Sequence, residues 1–130
     1  MKKLSFFLVA TALLFSSCGK DKTKTELLTG SWKITNAVSG GTNVLSQQSA
    51  CSKDDVITFL ANGSTTIDEG PTKCSTTDPQ TRTGTWRWAT NETELIVDNG
   101  IAKLVSLTEK TLVVSQSTSS SITEITFTKL

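Results

Sequence analysis

The chain has 130 residues, with 13 Lys and Arg against 12 Asp and Glu, no histidine and no tyrosine. So even a balance offers no basic surplus to neutralise phosphates, and nucleic-acid binding would lack its main source of affinity. Without histidine the commonest general base, the usual metal ligand and every Ser-His or Cys-His pairing are missing, so no enzymatic role, metal site or cofactor is expected.

The opening "MKKLSFFLVATALLFSSCGK" carries Lys2 and Lys3, an apolar run from Leu4 to Phe15, and then small residues. That is the make-up of a secretion signal, and it is too short for an ordinary membrane span. Phe15-Ser16-Ser17-Cys18 resembles the lipobox of bacterial lipoproteins, with Phe15 where leucine is commonest. The resemblance implies cleavage before Cys18, lipidation of its thiol and new amino group, and a membrane anchor through the acyl chains. Residues 1–17 are then the signal, and 18–25, containing the charged "GKDKTKT", a solvated linker. Gly19 stands where an Asp would hold some lipoproteins at the inner membrane, so an outer-membrane location is expected, on the periplasmic face or the cell surface. Loss of the signal takes Lys2 and Lys3 with it, leaving 11 basic against 12 acidic side chains on 113 residues.

Residues 26–130 form the folded domain. "TKTELLTG" reads as a helical turn, and beyond it come short alternating or β-rich runs separated by turn signals. About eight strands are expected, near 31–38, 55–60, 64–68, 82–89, 93–98, 101–107, 111–117 and 121–129. Links this tight make an antiparallel meander that closes into a barrel or a compact sandwich. Trp32 should share a strand face with Ile34 and Val38, and Trp86 should share one with Trp88 while Arg87 points the other way.

Face parity tests the hairpins. Ile57, Phe59 and Ile67 fall on one face only if residues 61–63 form a three-residue loop with Gly63 in a G1 bulge, which pairs Ile57 with Ile67. A two-residue Asn99-Gly100 turn would set Leu95 opposite Leu104 and Val97 opposite Ala102. The next link pairs Leu107 with Leu112 and Val105 with Val114, which conflicts in parity with that turn, so the strand near 101–107 must bulge or bury both faces. Long polar insertions remain near 39–54 and 69–81.

With Cys18 assigned to lipid, Cys51 and Cys74 are an even pair in an oxidising compartment and are expected to be bonded. The extended register of the 55–68 hairpin brings them close to opposition. Neither a Cys-x-x-Cys spacing nor a histidine supports a redox pair or a thiolate metal site. The acidic pairs Asp54-Asp55 and Asp68-Glu69 reach the same end of the hairpin, where neighbours point to opposite faces, so a solvated charged rim is expected.

The order of landmarks, "LLTGSWKIT", then "ACSKDDVITFLANG", "KC", "TGTWRW" and "LVSLTEKTLVVS", resembles the lipocalin-like lipoproteins of Bacteroidetes. Its "GSW" is similar to the Gly-x-Trp that opens lipocalins. The resemblance implies an all-β fold, a small antiparallel up-and-down barrel with a short N-terminal helical turn, and a Cys51–Cys74 disulfide. Lipocalins also pack an arginine on that opening tryptophan, and here only Arg82 and Arg87 could supply one.

Two roles are expected of such a barrel. One is to bind or carry a small apolar ligand, with Trp32, Trp86, Trp88 and Phe59 as candidate contacts, although each tryptophan also suits a core. The other is an envelope interaction module with a filled barrel, touching a protein or glycan through its loops. No partner protein is specified by the sequence. The likeness of "TGSW" to "TGTW" is expected to reflect the chemistry of strand starts rather than duplication.

Overall fold

The computed structural model describes residues 19–130; the signal and the lipidation of Cys18 expected from the sequence lie outside them. A helix α1 (Lys24–Leu28) precedes the strands β1 (Gly30–Ser39), β2 (Thr42–Asn43), β3 (Val56–Phe59), β4 (Ser64–Asp68), β5 (Thr81–Trp88), β6 (Glu94–Val97), β7 (Gly100–Leu107), β8 (Thr111–Ser117) and β9 (Ile122–Lys129). A second helix, α2 (Ala50–Lys53), lies in the insertion between β2 and β3. Apart from β2, which is bypassed by the pairing of β1 with β3, consecutive strands pair antiparallel, and β9 returns to pair with β1, closing the ring. The two-residue β2 pairs only at the end of β1, beyond the four residues that pair with β3. The fold is therefore the expected all-β, up-and-down barrel. Closure matters physically, because it leaves the long strands without unpaired edges.

The helical turn at the start is a capped helix. Thr23 Oγ1 accepts from the Glu26 backbone N–H while Glu26 Oε2 accepts from that of Thr23, the reciprocal arrangement that satisfies two free donors at a helix start.

Hairpin parity decides most of the register. Ile57 faces Ile67, the Leu60 N–H donates to Ser64 O, and Gly63 takes a φ of +86°, as the three-residue loop requires. On β7 the parity conflict is resolved by a bulge between Leu104 and Ser106. Leu104 thereby opposes Val114, and Val105 is turned out to solvent, 51% exposed.

The register differs in two places. The β6–β7 turn is centred on Asp98 and Asn99 rather than Asn99 and Gly100, so Leu95 faces Ala102 and Val97 faces Gly100. The cause lies on a third strand: the Asp98 N–H donates to Thr85 O, and its Oδ1 accepts from the Thr85 N–H at 2.8 Å. In β1 a bulge at Thr35 breaks the alternation, so Ala37, 2% exposed, turns inward in place of Val38. The two glycines before tryptophan also differ. Gly30 starts β1 with a φ of +131°, whereas Gly84 lies inside β5, and the Asp98 carboxylate occupies the space where its Cβ would be.

Candidate functional site

The inward faces of the strands meet in one apolar core that contains Leu28, Trp32, Phe59, Trp86, Leu95 and Leu112. At one end of the barrel this core is sealed. Trp32 is fully buried, and its indole N–H donates to Leu28 O at 2.7 Å, drawing α1 across the opening. Trp88 donates to Thr25 Oγ1 on the same helix at 3.2 Å. Trp86 donates to Leu60 O at 2.7 Å and stands edge-on to Phe59 and Trp88, with ring centroids 5.9 and 6.0 Å away.

Lys129 completes this end. Its Nζ lies 5.1 Å from the centre of the Trp32 ring and donates to Leu27 O at 2.8 Å, a cation held on an aromatic face and a carbonyl together. The cation expected on Trp32 is therefore neither arginine. Arg82 is paired with Glu69 at the other end, and Arg87 is exposed. Burial first, and then the charge of Lys22, hold the Lys129 ammonium below the usual lysine range, against the pull of Glu109.

Toward the other end the barrel is not filled. A partly open cavity of about 180 Å³ in the barrel is walled by Ile57 and Phe59 of β3, Leu95 and Val97 of β6, Ala102 of β7, Leu112, Val114 and Gln116 of β8, and Phe127 of β9. A second cavity of about 190 Å³ adjoins it at the mouth, between the barrel wall and the α2 segment, and shares Ile57 and Phe127. Of the aromatic residues expected to form a ligand wall, Phe59 lines the deeper cavity, and the three tryptophans border neither. Sequence reading missed most of the cavity walls. Their signal was present in the inward parity of β6, β8 and β9.

The mouth is held by cross-links between the two insertions. Cys51 of α2 is bonded to Cys74, with Cα atoms 5.1 Å apart. Asp54 Oδ2 accepts from the Thr72 N–H, and the second insertion is folded on itself by the Gln80 side chain, which donates to Asp68 Oδ1 at the end of β4 and to Gly70 O. The solvated rim expected here exists only in part. Asp68 is exposed, and its hydrogen bonds from Gln80 and Gly70 hold its carboxyl below the usual range. Glu69, by contrast, is 3% exposed and accepts from Arg82 Nε at 2.8 Å, a pairing that makes its burial tolerable. Among the described residues no group of three His, Cys, Asp or Glu side chains is placed to hold a metal ion.

The model of a lipocalin-like domain matches residues 28–114, from the last residue of α1 to the middle of β8. The chain belongs to the lipocalin-like domain family. No curated protein matches it significantly. The lipocalin-like match stops short of β9, the strand that closes the barrel on β1 and brings Lys129 to Trp32. A lipocalin-like domain suggests a small-ligand binding fold, and this barrel keeps apolar space inside.

Proposed function

We propose that this protein is a membrane-anchored lipoprotein of the bacterial cell envelope, at the outer membrane, that binds a small, mainly apolar molecule inside its lipocalin-like barrel and has no catalytic role. The apolar cavity of about 180 Å³ behind Phe59 and Phe127 carries this reading. Pockets for drug-sized ligands usually start near ~300 Å³, and neither cavity reaches that alone. The ligand is therefore small, or it passes Ile57 and Phe127 to occupy both. The anchor rests on Cys18 and on the polar tether behind it.

The test is native mass spectrometry of the full chain, purified from envelopes in mild detergent, before and after solvent extraction. A reproducible small extra mass that leaves with the solvent is expected, on a chain carrying acyl groups that Cys18→Ser abolishes. A bare polypeptide mass across several lipid-rich preparations would overturn the carrier reading. It would favour a barrel that serves only to present the disulfide-linked segments at 39–54 and 69–81 to a protein or glycan.

A further inference from the structure

The cavity at the mouth is apolar on most sides, where Ile34, Ile57, Ile67 and Phe127 line it, and polar on the rest, where the Ser52 hydroxyl and the ionisable Asp55 do. Asp55 precedes β3, in phase with Ile57 and Phe59, so the alternation of the strand turns it to the interior. The half-buried side chain lines the cavity, while its Oδ1 is out of reach of solvent and has no hydrogen-bond partner among the described residues. A buried acceptor left unpaired is costly, and few native groups are left so without a reason.

The charges around Asp55 do not neutralise it. Glu69, Asp54 and Asp68 act on it with the same sign, and Arg82 alone with the opposite sign. Arg82 is already committed, with its Nε and Nη2 at 2.8 and 2.6 Å from Glu69 Oε1. Desolvation and the acidic neighbours accordingly hold the Asp55 carboxyl above its usual range. An anionic ligand would meet this field unfavourably, and an alcohol would supply a hydrogen bond without relieving the charge. An ammonium would do both.

Granted the proposed ligand binding, the geometry points to a small amphipathic amine as the ligand class, its protonated head on Asp55 in the mouth cavity and its aliphatic tail passing Ile57 and Phe127 into the deeper cavity.

Hexylamine, hexanol and hexanoate share one tail and differ only in the head. Each is titrated into the full chain, purified in mild detergent with isoleucine methyl groups labelled, while the Ile57 and Ile67 methyl resonances are followed. Hexylamine is expected to bind roughly tenfold or more tightly than the other two, as for a hydrogen bond to a charged group, and Asp55→Asn should remove that preference while hexanol still binds. In the unsubstituted protein, hexylamine binding should weaken as acid protonates Asp55, and hexanol binding should not. That titration decides the matter by itself if Asp55→Asn fails to fold. Equal affinities for the three heads, or an amine preference that survives in Asp55→Asn, would overturn the amine assignment and leave apolar binding standing. No methyl shift with any of the three would overturn both.

Discussion

The two ends of the barrel are built on opposite terms. At the closed end each tryptophan indole N–H has an acceptor, on Leu28, Thr25 or Leu60, and the Lys129 ammonium rests on the Trp32 ring and the Leu27 carbonyl. At the mouth, Asp54 and Asp55 each keep a buried oxygen without a partner, cavities open behind them, and a covalent bond holds the segments in place. Packing and polar groups that are mostly satisfied stabilise the first end, where the buried Thr65 Oγ1, beside Phe59 and Gly84, is the exception. The second retains unsatisfied groups and empty volume, which cost stability and are what a ligand can use.

Truncation at the closed end should therefore have the largest effect. Trp32→Ala is expected to cost about 3–5 kcal/mol, read as a lower denaturant midpoint, because a fully buried ring is lost and Leu28 O loses its donor. Ile34→Ala should cost only about 2 kcal/mol, because that side chain borders space that is already empty. Equal losses at the two positions would erase the contrast. Replacing Cys51 and Cys74 together by alanine comes next, at about 3 kcal/mol for the 23-residue separation on a chain-entropy account. That loss should leave the indole N–H resonances of Trp32 and Trp86 in place, since neither ring depends on the mouth. Thr23→Ala, which removes the cap of α1, should cost about 1 kcal/mol and should shift the Trp88 indole signal, whose acceptor is on that helix.

What the sequence disclosed follows from how local each determinant is. The eight longer strands, the loop before Ser64 and the need for a bulge on β7 depend on alternation and on loops of a few residues, and all are legible, whereas β2 and α2 are too short to show a period inside the polar insertion near 39–54. The β6–β7 turn was misplaced because a shift of two residues keeps Leu95, Val97, Ala102 and Leu104 on the same face, so parity cannot distinguish the alternatives. Asp98 decides by reaching Thr85 on β5, and nothing in the turn itself announces that. The bulge at Thr35 was hidden because Ala37 and Val38 are both apolar and either can face inward. Lys129 reads as an ordinary surface lysine until barrel closure brings β9 beside β1. As for the site, which residues face the interior follows from alternation, but where they leave space depends on side-chain volumes summed across five strands. Asp55 and Glu69 look like rim charges in the sequence; the phase of Asp55 with Ile57 is legible there, but the apolar wall around it and the Arg82 beside Glu69 come only from the fold.

The smallest effect should come from Asp55→Asn, and its sign sharpens the comparison most. Burial, then Glu69 and Asp54, raise the Asp55 carboxyl above its usual range, more than Arg82 lowers it, with Asp68 adding a little. A raised folded-state pKa means that the folded chain holds this proton more tightly than the unfolded chain, so ionising Asp55 opposes folding. The penalty is absent below the ordinary carboxylate value, grows between that value and the raised one, and is complete above it. Asp55→Asn should accordingly be slightly more stable than the parent at neutral pH, with the advantage fading as the pH falls through that window. Thermal melts of the two chains across the acid range would check this. A variant less stable than the parent at neutral pH would mean that the folded chain gains from the Asp55 charge, and the mouth would then carry no electrostatic penalty to set it apart from the sealed end. A gain that fades with acid would identify Asp55 as a charge the fold carries at a cost, as expected of a carboxylate that waits for a cationic partner.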